Sequence, residues 1–334
     1  MPHRAAVAAA AKRSTMAPKA PTIVSVALNP AIDRTLEVPN LEIGTHVRGR
    51  LASIQPAGKA VNVARLLGTL GTDCILTGFV GEGDRGRFER SFHQTPVRVE
   101  MFEVRSATRE NITLVDPARK VDTHIRDVGF RLSAEDLERL RKKLGILAAR
   151  GSYVLFAGSL AAGMTADEFT GLLDVCAAKG ARVAVDSSGP GLESVRETKH
   201  LWLVKPNAEE LGEIAGRPVA TDAPLRATAE SLLAHIDEVV VTLGADGAYL
   251  FRRDGAWRAR PEIPPERVIK TVGSGDALLA GFVHSHAAGK TPQECLRWGV
   301  ACGTASTMQV RAGEIDPQDV QAVLNKIELA AVET

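Results

Sequence analysis

From Pro21 onward the chain alternates short, uninterrupted apolar runs with segments of helical period, and this alternation limits the fold more than any other feature. Thr22 to Leu28 reads as a buried strand ended by Asn29-Pro30. Cys74–Val80, Tyr153–Ala157, Arg182–Asp186, Trp202–Val204 and Val239–Leu243 repeat the pattern. Between them the spacing predicts helices over Ala60–Leu70, closed by Gly71, and from Ser133, with Asp136 in capping-box position, to about Ala149. Further helices run from Thr165 to Lys179 and from near Asn207. Tyr249–Phe251 and Trp257–Ala259 form a hairpin around Asp254-Gly255, and helices from about Gly275, Thr291 and Asp316 finish the chain. Strands apolar on both faces and separated by helices imply an α/β fold with a mostly parallel sheet covered on both sides. Aromatic residues make up only 4%, so the core must rest on Ala, Val, Leu and Ile.

Two stretches depart from that rule. Residues 34–56 and 97–127 alternate polar and β-branched residues around Pro39, Gly44 and the turn Asp116-Pro117. They are expected to form a small separate sheet contributed by two excursions from one domain. Residues 1–20 are basic and Ala-rich, with Arg4, Lys12, Arg13 and Lys19 and no acid before Asp33. Their apolar run, Ala5 to Ala11, is short and precedes the charges, the wrong order for a secretory signal, so a disordered tail is expected.

The formal net charge is +1, which argues against a broadly basic nucleic-acid-binding surface. No segment approaches the ~20 consecutive apolar residues of a membrane helix. Cys74, Cys176, Cys295 and Cys302 lack C-x-x-C spacing and read as reduced, buried thiols in a cytoplasmic protein. Gly81-Glu-Gly-Asp-Arg-Gly86 follows a strand and matches a dinucleotide fingerprint, with Glu100 or Glu103 where a ribose-binding acid would sit. It stands in the second crossover and leads into β-ribbon material, which disfavours a nicotinamide oxidoreductase.

The chemistry gathers elsewhere. Val272-Gly-Ser-Gly-Asp-Ala277 sits where a loop enters a helix; its glycines and the helix N-terminus suit a phosphate, and Asp276 can take a proton from a hydroxyl there. Asn207 and Glu210 lie one turn apart at another helix start, hard oxygen groups suited to Mg²⁺ through water. Val241-Thr-Leu-Gly-Ala-Asp-Gly247 follows a strand end, where an open α/β sheet takes a nucleotide. Ala57-Gly-Lys-Ala-Val-Asn62 places Lys59 at a helix N-terminus, and Asp33 is an acceptor for sugar hydroxyls.

In order, Asn29-Pro-Ala-Ile-Asp33, Ala57-Gly-Lys-Ala-Val-Asn-Val-Ala64, Thr108-Arg-Glu-Asn111, Gly158-Ser-Leu160, Lys205-Pro-Asn-Ala-Glu-Glu210 and Thr271-Val-Gly-Ser-Gly-Asp276 resemble the PfkB, or ribokinase-like, carbohydrate kinases over about residues 21–330. Asp186-Ser-Ser188, Trp202-Leu-Val-Lys-Pro-Asn207 and Gly129-Phe130 lean towards the 1-phosphofructokinase branch, with the tagatose-6-phosphate kinases near. The resemblance implies a three-layer α/β/α kinase domain over residues 21–334, with a β-sheet lid from the two excursions and a homodimer paired through it. Asp276 would be the base, and Gly273, Ser274 and Gly275 the anion hole for the γ-phosphoryl group. Lys205, Asn207, Thr242, Gly244 and Gly247 would meet ATP, with Gln309 near the adenine; Asn207 and Glu210 would organise Mg²⁺. Asp33, Asn62 and Asn111 would take the sugar, and Gly58, Lys59, Arg109 and Ser159 its existing phosphate. Glu110 is expected to pair with Arg109 and weaken that hold. The reaction so implied is ATP-dependent phosphorylation of a hexose monophosphate, fructose 1-phosphate first, with tagatose 6-phosphate or fructose 6-phosphate as alternatives. A sugar-phosphate-binding regulator on the same scaffold is the reading from another class.

Overall fold

The computed structural model describes residues 21–219 and 222–332, so the expected N-terminal tail lies outside the described residues. The strands are β1 (Ile23–Ala27), β2 (Ala31–Glu37), β3 (Arg50–Ala57), β4 (Cys74–Gly81), β5 (Val97–Val104), β6 (Arg109–Asp116) and β7 (Val121–Ile125). They continue as β8 (Tyr153–Ala157), β9 (Arg182–Asp186), β10 (Leu201–Val204), β11 (Ile236–Thr242), β12 (Ala248–Arg252), β13 (Gly255–Pro261) and β14 (Ile327–Ala331). The helices are α1 (Lys59–Thr69), α2 (Arg85–Ser91), α3 (Ala134–Leu147), α4 (Ala166–Ala178), the single turn α5 (Pro190–Glu193), α6 (Ala208–Ala215), α7 (Asp222–Leu232), α8 (Ser274–Ala287), α9 (Pro292–Ser306) and α10 (Pro317–Leu324). None is long and apolar enough to cross a membrane.

Ten strands form one sheet in the order β14-β13-β12-β11-β10-β9-β8-β1-β4-β5, parallel from β11 to β5 and antiparallel at the other end. Strand periodicity explains its two faces. Tyr153, Leu155 and Ala157 of β8 join the core under α1, α8, α9 and α10, whereas Val154 and Phe156 join the core under α3, α4, α6 and α7. The molecule is therefore the expected three-layer α/β/α fold, with two cores back to back. The capping boxes of α3 and α4, Ser133 with Asp136 and Thr165 with Glu168, fix where those helices start.

A second sheet, β3-β2-β6-β7, stands apart and is the small sheet expected from the sequence. Its composition corrects one expectation. Residues 97–104 do not belong to it: β5 pairs parallel with β4 from Cys74↔Val97 to Gly81↔Val104 and forms an edge of the large sheet. An edge strand with charged residues between its apolar ones alternates in the same way as a strand of a small half-exposed sheet, so the pattern could not separate the two. The small sheet is instead built from Ala31–Ala57 and Arg109–Ile125. The fingerprint-like Gly81 loop also resolves as structural. A Cβ on Gly81 would lie 2.0 Å from the backbone nitrogen of Thr108, so the glycine admits a chain crossing, while Glu103 accepts from the Gly83 amide instead of facing a ribose.

Candidate active site

The carboxyl ends of β9, β10 and β11 and the N-termini of α1, α6 and α8 surround a cleft of about 720 Å³. An open parallel sheet places ligands at this edge. At its floor α8 begins on Gly273, whose φ of 93° is left-handed; no side chain caps the helix. The first-turn amides of Gly275 and Asp276 therefore have no carbonyl of their own helix to pair with and are available to an anion.

Asp276 sits in that turn, only 5% exposed. Burial, reinforced by the charge of Asp186, pushes its carboxyl up to about 7, against the hydrogen bond from Asn62 and the pull of Lys59 and Lys205. Asn62 Nδ2 donates to Asp276 Oδ2 at 2.8 Å; among the described residues Oδ1 has no partner. A carboxylate that titrates near neutrality and keeps one oxygen free has the properties of a general base.

Asp186 organises the cations. Buried at the end of β9, it accepts from Lys59 Nζ at 2.9 Å, while Lys205 Nζ lies 3.1 Å from its other oxygen, off the hydrogen-bond axis. Burial raises the Asp186 carboxyl, but Lys205 and Lys59 outweigh it and hold it below the ordinary value. Lys59 responds in the opposite direction: burial lowers its ammonium, and Asp186, Glu210 and Asp276 together raise it above the usual lysine range. The Lys59 ammonium therefore stays charged in the cleft, and the Lys205 ammonium is the second one there. Gly275 lets the second approach, since a Cβ there would lie 3.1 Å from Lys205 Nζ. The only sequence signal for this role of Asp186 is an acid at a strand's carboxyl end.

Asn207 and Glu210 cap α6 reciprocally: the Glu210 amide donates to Asn207 Oδ1 and the Asn207 amide to Glu210 Oε2, both at 2.8 Å. Glu210 Oε1 remains towards the cleft, 3.8 Å from Lys59 Nζ. Among the described residues no group of three or more His, Cys, Asp or Glu side chains is placed to hold a metal ion by itself. This donor set fits a hard cation held through water and substrate oxygens rather than in a protein cage. Thr242, Gly244 and Gly247 line the same cleft, together with Ile263, Val268, Val300 and Thr304. Gln309 does not line it; its Nε2 donates to Asp319 Oδ2 at 3.4 Å.

The remaining residues gather where the small sheet meets the large one. Asn111 Nδ2 donates to Asp33 Oδ1 at 2.9 Å across paired strands, and Asn111 Oδ1 is buried without a partner. An orphaned acceptor costs about 1–3 kcal/mol, which an incoming hydroxyl donor would offset. Arg109 spends its donors on backbone carbonyls of Asn29, Pro30 and Asp127, at 2.9, 3.3 and 3.2 Å. Asn29 Nδ2 reaches Ser159 Oγ at 3.3 Å, and Gly129 must lack a Cβ because one would lie 2.1 Å from Asn29 Oδ1. At the start of α1, Gly58 has a φ of 112°, and a Cβ there would lie 3.3 Å from the Pro30 Cα. Glu110 does not pair with Arg109: it holds Arg34 through two bonds, at 3.0 and 3.1 Å. Successive residues of a strand face opposite sides, so Arg109 was never in reach.

Comparison with known proteins shows the family and the fold. The family model "pfkB family carbohydrate kinase" matches residues 21–319. A 1-phosphofructokinase of Vibrio cholerae is 31% identical over 311 residues, covering 93% of this chain and 97% of that protein. One of Rhodobacter capsulatus is 34% identical over 297 residues, covering 88% and 92%. The solved phosphofructokinase-2 of Escherichia coli in complex with fructose-6-phosphate shares the fold, with a TM-score of 0.81 at 24% identity over 91% of this chain and 98% of that one.

Proposed function

The chain belongs to the pfkB family of carbohydrate kinases, and we propose that it transfers the γ-phosphoryl group of ATP to the 6-hydroxyl of D-fructose 1-phosphate. The observation that carries the chemistry is the buried Asp276, one oxygen held by Asn62 and the other free, beside two lysines and an uncapped helix N-terminus. The sugar assignment is supported by the 1-phosphofructokinases that resemble the chain over nearly its full length.

Asp276 Oδ1 takes the acceptor hydroxyl's proton as that oxygen bonds to the γ-phosphorus. The bond to the β–γ bridging oxygen breaks and ADP leaves. Lys205 and the amides of Gly275 and Asp276 meet the charge on the phosphoryl oxygens, Lys59 stands beside them, and Thr242, Gly244 and Gly247 take the nucleotide. Asn207 and Glu210 would hold Mg²⁺ through water; when bound it neutralises charge on the ATP phosphates. Positioning and charge stabilisation supply most of the acceleration in such transfers. Asp33 and Asn111 take sugar hydroxyls, and Arg109, beside Ser159, holds the phosphate already present once released from its carbonyls. The lid carries Leu51, Ile54 and Ile125 with 47%, 39% and 50% of their surfaces exposed, which supports a homodimer joined through lids.

ADP release measured over a panel of free hexoses and hexose phosphates tests the reading. Turnover on fructose 1-phosphate, abolished in Asp276→Asn, is expected. Turnover only on unphosphorylated sugars would overturn the acceptor assignment, and ADP release unaffected by the substitution would overturn the mechanism.

A further inference from the structure

Arg65 lies on α1 one turn beyond Asn62, mostly withdrawn from water, and makes no ion pair among the described residues. Its contacts are all to neutral groups. Nη2 donates to the Pro56 carbonyl at 2.7 Å and approaches Ser91 Oγ at 3.5 Å; Nη1 donates to Asn62 Oδ1 at 3.3 Å; the guanidinium lies 5.5 Å from the centre of the Phe92 ring. Burial pushes its proton affinity down, opposed at longer range by Glu314 and Asp33. A desolvated cation without a counter-ion is expensive, and packing alone does not call for one.

We propose that Arg65 is a positioning residue for phosphoryl transfer, acting through Asn62 to keep that amide turned with its donor towards Asp276. The proposal rests on the kinase reading above. A carboxamide has one accepting and one donating end, and its two neighbours here are of opposite kinds. Guanidinium only donates and ionised carboxylate only accepts, so a single orientation satisfies both: Oδ1 to Arg65, Nδ2 to Asp276. The third side is closed by the backbone of Gly313, where a Cβ would lie 2.7 Å from Asn62 Oδ1 and 2.9 Å from Arg65 Nη1. Pro56, which anchors the guanidinium, is the penultimate residue of β3, so the same side chain fastens the root of the lid to the helix carrying Asn62.

Without Arg65 the amide is free to turn its oxygen to Asp276, an arrangement that suits only the protonated acid. The groups facing Asp276 are Asn62 and Lys59 from α1, Asp186 from the end of β9 and Lys205 beyond β10. Of these only Asn62 is held by Arg65, so removing the guanidinium acts on the base through that hydrogen bond. Loss of a donor to the charged form raises a carboxyl's pKa, and a base must be ionised to work. The acidic limb of the pH profile therefore moves to higher pH.

The test is kcat/KM against pH for the full-length wild type, Arg65→Met and Arg65→Lys with fructose 1-phosphate, together with KM for ATP. In Arg65→Met the acidic limb is expected to rise by about one pH unit and kcat to fall by about tenfold or more, with KM for ATP within about twofold of wild type. Arg65→Lys has one point donor that serves Pro56 or Asn62 but not both, so its limb moves in the same direction; it decides the matter if Arg65→Met does not fold. Activity lost in proportion to active protein with the limb unmoved, or an unchanged profile in both variants, overturns the proposal. A wild type with no sugar-kinase activity overturns the kinase reading and this proposal with it, and that result is visible before any variant is made.

Discussion

Replacing Asp276 by Asn should inactivate the protein and stabilise it. In the folded state the carboxyl is raised from 3.8 to about 7. A group raised on folding contributes its full stability below its unfolded pKa, while it is protonated in both states, and loses it as pH climbs through the folded value. Above pH 7 the native protein carries a buried carboxylate whose ionisation costs on the order of 4 kcal/mol, the free energy that corresponds to that displacement. Asparagine is isosteric, retains an oxygen to accept from Asn62, and carries no charge. Urea unfolding of the two proteins at pH 8 should show the variant more stable by up to that amount, with the gap closing as pH falls towards 4. Turnover should meanwhile drop by about 10²–10⁴-fold. A variant less stable than wild type at pH 8, or a gap independent of pH, would refute the assignment of a strained, buried base.

Other substitutions separate the roles of the neighbouring residues. Asp186→Asn removes the partner of two lysines: the fold should lose about 3–5 kcal/mol by urea unfolding, and the acidic limb of kcat/KM should shift to lower pH because a negative neighbour of Asp276 is gone. Glu210→Gln preserves the reciprocal cap of α6 but not the charge, so the Mg²⁺ concentration for half-maximal rate should rise about tenfold with the melting temperature unchanged. Sedimentation should find a dimer for the wild type and a monomer for the double variant Ile54→Asp, Ile125→Asp; a monomeric wild type contradicts lid pairing.

What could be read from the sequence divides by locality. Strands such as Tyr153–Ala157, buried on both faces, announce themselves as apolar runs, and the Gly273–Asp276 loop is legible because helix N-terminus chemistry is written in adjacent residues. The edge strand Val97–Val104 is not, since the charged residues between its apolar ones give the same alternation as a strand of the small sheet. The helix Asp222–Leu232 was missed because Pro224 in its first turn reads as a break, although that position tolerates proline. The site's contacts are the least legible part. The Asn62 bond to Asp276 spans 214 residues and the Lys59 bond to Asp186 spans 127, separations to which no local spacing rule applies. Glu110 was matched to its chain neighbour when its partner, Arg34, lies across the sheet.

The central claim is that this cleft phosphorylates a sugar that already carries a phosphate, at the hydroxyl presented to Asp276. The most direct measurement is the pair of kcat/KM values for fructose 1-phosphate and fructose 6-phosphate on one preparation, with the product's phosphate positions read by ³¹P NMR. The account predicts a preference of about 100-fold or more for fructose 1-phosphate, with the new phosphate on O6. A preference for fructose 6-phosphate, or product phosphorylated elsewhere, would contradict it.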